Sequence, residues 1–155
     1  MANLNDKFDV LRGWEPGGDA SIDQSLPPNA PGGVPVTLLP GYIVDVAAAG
    51  TVDVASTPAN VTLGTAQPLQ VYVVLEGNGQ DTSAQFVEKV VCLRGKLTVK
   101  TDKLAGAQTF PVAGKVSFVS GLLTDAGGTA TTQVIGTVLE NNVATDATIV
   151  VELDL

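Results

Sequence analysis

From Gly41 to the C-terminus, apolar and polar residues alternate over short runs broken by glycine, proline and asparagine, a pattern that predicts β-strands. Leu69, Val71, Val73 and Leu75 fall on one face of such a run, with Gln70, Tyr72 and Val74 opposite. Leu69–Glu76 is therefore predicted as a strand, and Gly77-Asn78-Gly79 as the turn that follows it. Phe86–Arg94 is apolar on both faces apart from Glu88 and Lys89, and reads as a central strand buried on both sides. Lys96–Lys100 alternates and reads as a half-exposed strand. Tyr42–Val46, Thr51–Ala55, Asn60–Leu63, Lys115–Val119, Thr129–Gln133, Val134–Glu140 and Ala147–Leu155 complete the set. In the last of these, Ile149, Val151, Leu153 and Leu155 point inward, while Thr148, Val150, Glu152 and Asp154 mostly face solvent. The one helical candidate is Asp81–Lys89, with Asp81 as its cap.

Residues 1–40 differ. They hold Pro16, Pro27, Pro28, Pro31, Pro35 and Pro40, with Gly17-Gly18 and Gly32-Gly33 between them. Each proline fixes φ and removes a backbone donor, so no helix or strand period is expected to survive here. The stretch is expected to be an extended, partly polyproline-like N-terminal arm (1–40) ahead of a β domain (41–155). Few core residues are expected before Val34, so a chain lacking residues 1–33 is expected to remain folded. Within the arm, Phe8, Val10, Leu11 and Trp14 form an apolar cluster. It either folds back on its own domain or anchors on a neighbouring subunit or partner, a role that Trp and adjacent apolar residues often take.

Composition sharpens the fold class. Apolar residues make up 45% of the chain but aromatics only 5%, so the core has to come from Val, Leu, Ile and Ala. Stiff β-branched side chains suit strands. The expected fold is mainly β: a single small antiparallel β-barrel or β-sandwich with at most one short helix. The net charge of −8 argues against nucleic acid and against an anionic membrane surface as partners. The apolar runs are too short to span a bilayer. The start, Met1-Ala-Asn-Leu-Asn-Asp-Lys7, lacks the basic and apolar regions of a secretory signal.

The charges are unevenly distributed. Lys89, Arg94, Lys96, Lys100, Lys103 and Lys115 cluster in one stretch, while residues 41–88 and 116–155 carry acids and no bases. This is either the lysine-protected edge of a sheet or a basic stripe facing an acidic neighbour, such as another copy of the chain. The candidate partner-binding residues are Phe8, Leu11, Trp14, Leu26, Val34 and Leu38, together with Lys96 and Lys100.

The chain contains no histidine, which removes Ser-His-Asp and Cys-His arrangements and His-based zinc sites. The single cysteine, Cys92, lies in the apolar run Val90-Val91-Cys92-Leu93 and reads as a buried thiol. No Walker A or dinucleotide-binding glycine pattern occurs. Asp45, Asp53, Glu76, Asp81, Asp125, Glu140 and Asp146 are carboxylates, but most fall in turns or at strand ends, where solvated acids are ordinary. Glu76, Asn78 and Asp81 gather oxygen ligands in one loop without the spacing of an EF-hand, so a hairpin turn is the preferred reading. Asn60-Val61-Thr62 fits the glycosylation pattern, which carries little weight without a secretory signal. No catalytic, cofactor-binding or metal-binding residue is assigned, no cofactor is expected, and the chain is expected not to be an enzyme.

Two stretches resemble phage head-decoration, or capsid cement, proteins. Val34-Pro-Val-Thr-Leu-Leu-Pro-Gly41-Tyr-Ile-Val-Asp-Val46, followed by Ala47-Ala48-Ala49-Gly50, is similar to their opening, where a Pro/Gly-rich arm leads into a first strand and a small-residue turn. Gln133-Val-Ile-Gly136-Thr-Val-Leu-Glu140, with the segment running on to Ile149-Val-Val-Glu-Leu153, is similar to their closing hairpin. Residues 56–132 carry no such likeness. The resemblance implies a small β-barrel or β-tulip-like domain on the outer surface of the virion capsid, made in the host cytoplasm. It also implies dimers or trimers at symmetry axes and an arm pinned across the major capsid protein, with no catalytic residues. A phage tail-tube or other virion β-protein, and a cellular adhesion or binding module, stay open as alternatives.

Overall fold

Val, Ile and Thr recur at alternate positions, and the chain answers with two antiparallel sheets. A computed structural model describes residues 8–13, 21–33, 36–46, 50–55, 70–77, 89–106, 108–127 and 133–155. In chain order the strands are β1 (Phe8–Arg12), β2 (Ser21–Leu26), β3 (Ile43–Val46), β4 (Val52–Val54), β5 (Val71–Glu76), β6 (Val90–Arg94), β7 (Lys96–Thr101), β8 (Lys115–Val119), β9 (Leu122–Asp125), β10 (Gly136–Asn142) and β11 (Thr148–Asp154). A short helix, α1 (Val143–Asp146), joins the last two, and a 3-10 turn lies at Pro31–Gly33. The first sheet runs β1-β7-β11-β10-β8-β9 and the second β2-β6-β5-β3-β4. Gly95, at φ 114, lies between β6 of one sheet and β7 of the other.

One core lies between the sheets. Leu97, Val99, Val116, Phe118, Leu123, Val138, Ile149, Val151 and Leu153 come from the first sheet, and Ile43, Val71, Val73 and Leu93 from the second. A second core forms on the far face of the second sheet, from Val44, Val52, Tyr72, Val74, Val90 and Cys92 covered by Leu38. The alternation expected in β5 is present, and each of its faces is buried in a different core. β6 is likewise buried on both faces, with Leu93 on one and Val90 and Cys92 on the other. Of the two expected architectures this is the sandwich: among the described residues the sheets do not close into a barrel.

Several expectations are corrected. β1 and β2 lie where no strand was expected, because each adds to an open edge and needs a partner on one side only: β1 pairs with β7, β2 with β6. The prolines fall outside these two strands, and Pro28 makes a parallel bridge with Val52 at the opposite edge of the second sheet. Phe8 and Val10 pack on the first core and Leu38 lies wholly inside the second. A chain lacking residues 1–33 would lose β1 and β2; among the described side chains of that stretch only Phe8 and Val10 pack against a core, and both are partly buried.

β9 was not expected. Ser120 (φ 48) and Gly121 (φ 80) form the two-residue left-handed turn that suits the twist of a tight hairpin and pairs Val119 with Leu122. In β11, Thr148 and Val150 are buried instead of facing solvent. The Thr148 hydroxyl donates to Asp146, and Val150 sits between Lys100 and Glu140, whose aliphatic stems can cover it. The described α-helix is α1, at the closing hairpin. The strand expected at Asn60–Leu63, all but Lys89 of the helix expected at Asp81–Lys89, Asn78 and Gly79 of the expected turn, and residues 129–132 of another expected strand lie outside the described residues. Gln133 is described and is not in a strand.

Candidate functional site

Each sheet has two edge strands, and the four fall into two pairs by how the outer side is used. β9 is flanked by Lys103–Ala105: the Leu123 N–H donates to the Lys103 carbonyl (2.9 Å) and the Ala105 N–H to the Leu123 carbonyl (2.8 Å). β4 is flanked by Pro27–Asn29: Val52 donates to the Pro27 carbonyl (3.0 Å) and Asn29 to the Val52 carbonyl (2.7 Å). β1 and β2 have no backbone partner other than β7 and β6 among the described residues. Both open edges thus belong to the N-terminal segment.

β1 is irregular. Asp9 pairs with Lys100, Val10 with Val99 and Arg12 with Thr98, so Leu11 is an extra residue opposite no partner. Val10 turns inward to the core while Asp9, Leu11 and Arg12 are exposed. Leu11 is 51% exposed, an apolar side chain on an open edge. A second exposed apolar group lies at the turn Pro111–Gly114, where Val112 is 64% exposed; the neighbouring Ala113 N–H donates to the Val138 carbonyl (2.8 Å), next to exposed Leu139.

The candidate residues separate on this frame. Phe8 is half-buried against the core and Leu11 is exposed on the β1 edge. Leu26 ends β2, paired with Val90. Leu38 is fully buried, so it contributes to the interior of the chain and not to its surface. Trp14 and Val34 lie outside the described residues.

Lys96 and Lys100 are on β7, an interior strand between β1 and β11, so the reading of this basic stretch as a protected sheet edge is corrected for these two residues. The acids they meet come from the same chain. Lys96 Nζ lies 3.5 Å from Glu152 Oε1, and Lys100 Nζ lies 2.7 Å from Asp146 Oδ2. Lys103 Nζ is 2.9 Å from Asp102 Oδ1, and Lys115 Nζ donates to the Thr137 hydroxyl at 2.9 Å. The hydrogen bond from Lys100, followed by that from Thr148, holds the Asp146 carboxyl down to about 2. The same bond to Asp146 raises the Lys100 pKa.

Sequence reasoning did not single out one carboxylate pair. Asp45 of β3 and Asp53 of β4 are direct cross-strand partners. Burial first, and the Asp53 charge second, push the Asp45 carboxyl above its ordinary value. Asp53 is held by the Asn29 amide, which donates to its Oδ2 at 2.8 Å, and by the Val54 N–H, which donates to its Oδ1 at 2.8 Å. The available signal was that the two acids flank the Ala47-Ala48-Ala49-Gly50 segment, Asp45 two residues before it and Asp53 three after. Among the described residues no group of three or more acidic, cysteine or histidine side chains could hold a metal ion. Of the Glu76–Asp81 loop, Asn78 and Asp81 lie outside the described residues, while Glu76 is exposed at the end of β5. Cys92 is buried as expected, and burial pushes its thiol up to about 11, away from the thiolate form.

These features define a two-sheet β protein in which, among the described residues, β1 and β2 are the strands with an open side and Lys96, Lys100 and Lys103 each pair with an acid of the same chain. Comparison with known proteins gives no matching family model, no matching curated sequence and no matching solved structure.

Proposed function

We propose that the chain is a non-enzymatic structural virion protein. It binds the outer surface of a phage capsid, contacts the major capsid protein and cements the head through its N-terminal segment and through symmetric self-association. The observation that carries this reading is that both open sheet edges, β1 and β2, come from that segment. An open edge can pair with a strand of a neighbour, which gains affinity from main-chain hydrogen bonds without a deep pocket. Repetition by symmetry then multiplies weak contacts.

Two further observations support it. The stretches that resemble decoration proteins fall on β3 and on the β10–α1–β11 hairpin, which would be the first strand and closing hairpin of a β-tulip-like domain. The net charge of −8 suits the outside of a shell better than contact with packaged DNA.

The test is cosedimentation of the purified protein with empty phage capsids. Binding at a stoichiometry tied to icosahedral symmetry is the expected result. No capsid binding at any salt concentration, or assembly of the protein alone into open-ended tubes, overturns the reading; the second outcome would make it a tail-tube protein.

A further inference from the structure

We infer that β1 is a self-pairing strand, and that two copies of this chain join through antiparallel β1–β1 contact about a twofold axis. The inference deepens the self-association in the proposed function and rests on it only there.

The bulge at Leu11 makes the pairing self-complementary. In a regular strand, residues three apart point to opposite faces. Here Asp9 lies beside Lys100 and Arg12 beside Thr98, two positions of β7 that share a face, because the extra residue resets the alternation. An acid and a base therefore stand on the same face of an edge strand. A twofold axis through an antiparallel pair matches each residue with its reciprocal. Centred between Val10 and Leu11, it sets Asp9 of each copy opposite Arg12 of the other, and Val10 opposite Leu11. Both charged pairs are then opposite in sign, and the exposed Leu11 side chain meets an apolar neighbour instead of water. Among the described residues the backbone of Phe8–Arg12 pairs on one side only, with β7. The first sheets of the two copies become one continuous sheet.

A bulge and two charges can also blunt an edge against pairing. The experiment separates the two outcomes. Sedimentation velocity of the full chain, without capsids, gives a dimer. Asp9→Lys sets Lys against Arg12, and Arg12→Glu sets Glu against Asp9, so each variant alone dimerises about tenfold or more weakly. An equimolar mixture of the two recovers a dimer, because Asp9 then meets Arg12 and Glu meets Lys in the mixed pair. Leu11→Lys, at a side chain already in solvent, leaves the fold intact and also weakens the dimer. A monomeric parent chain, single variants that dimerise as the parent does, a mixture that stays monomeric, or a Leu11→Lys chain that dimerises unchanged each overturns the pairing. Capsid cosedimentation is a separate measurement, so loss of the β1 dimer with retained capsid binding removes this inference and leaves the capsid reading standing.

Discussion

Leu38 tests whether the stretch before Gly41 is built into the fold. It is 0% exposed and closes the second core over Val44, Val52, Tyr72, Val74, Val90 and Cys92. Its carbonyl oxygen lies so close to Gly77 that a Cβ at Gly77 would overlap it, which fixes the path of this stretch across β5. Leu38→Ala removes the equivalent of about three methylene groups. At ~0.8 kcal/mol each this is roughly 2.4 kcal/mol of transfer free energy. The cavity left in this core, which Val36, Tyr42 and Val54 only partly cover, adds to this, for a total of about 3 kcal/mol, inside the usual range of about 2–5 kcal/mol. At about 2–4 °C per kcal/mol for a chain of this size, the melting temperature falls by roughly 6–12 °C. Urea unfolding followed by circular dichroism measures the change as a lower midpoint with an unchanged slope. Val112→Ala, at a side chain 64% exposed and away from β1, is the control and costs less than about 0.5 kcal/mol. A Leu38→Ala cost below ~1 kcal/mol, or equal to that of the control, refutes the placement of Val36–Tyr42 over this core.

The remaining predictions concern charge. Asp45 has its carboxyl pKa raised by burial and by Asp53, so its ionised form is disfavoured in the folded chain. Stability therefore declines as pH rises from the unfolded value of 3.8 through the folded one. Asp45→Asn should stabilise the protein at neutral pH by roughly 0.5 kcal/mol, the scale of a cross-strand charge pair, and the gain should vanish in acid; thermal melts that show a loss at neutral pH would contradict this. Asp146 behaves oppositely. Its pKa is lowered from 3.8 to about 2 by the bonds from Lys100 and Thr148, so its contribution is present above 3.8 and is lost as pH falls towards 2. Asp146→Asn should melt earlier than the parent at neutral pH, with the two curves converging across that acid interval.

The interior strands were legible because burial on two faces leaves a plain mark. Val71–Glu76 and Val90–Arg94 are nearly continuous runs of large apolar residues, and both lie between the two cores. β1 and β2 were less legible, since an edge strand buries little and its pairing comes from β7 and β6, each more than sixty residues away in the chain. The proline-rich character of the residues that follow, from Pro16 on, obscured Phe8-Asp9-Val10, whose outer residues do point inward with Asp9 exposed. β9 did leave a local sign, the Ser120-Gly121 dipeptide between apolar residues, which only an appreciation of its left-handed turn would have turned into a hairpin. The lysine stretch was misleading for a different reason. Its positions lie in one stretch of the chain, but Asp146 and Glu152, which pair with Lys100 and Lys96, are close only after β11 lies beside β7.

That neutralisation bears on what the open edges are for. A sheet edge left exposed invites pairing, and proteins that must stay apart commonly set lysines on it. In this chain Lys96 and Lys100 lie on an interior strand, paired with Glu152 of β11 and Asp146 of α1, and Lys103 is paired with Asp102. β1 carries one acid, one base and an exposed leucine, a combination with no net charge of its own to repel a second copy. Meanwhile the outer sides of β9 and β4 are occupied by the chain's own backbone, through Lys103–Ala105 and Pro27–Asn29. Main-chain bonds of the same chain fill the outer sides of these two strands, whereas among the described residues β1 and β2 pair on one side only, an asymmetry that fits the proposed use of these edges for contact. The residual charge of −8 then acts at longer range, keeping copies apart except where a strand can meet its complement.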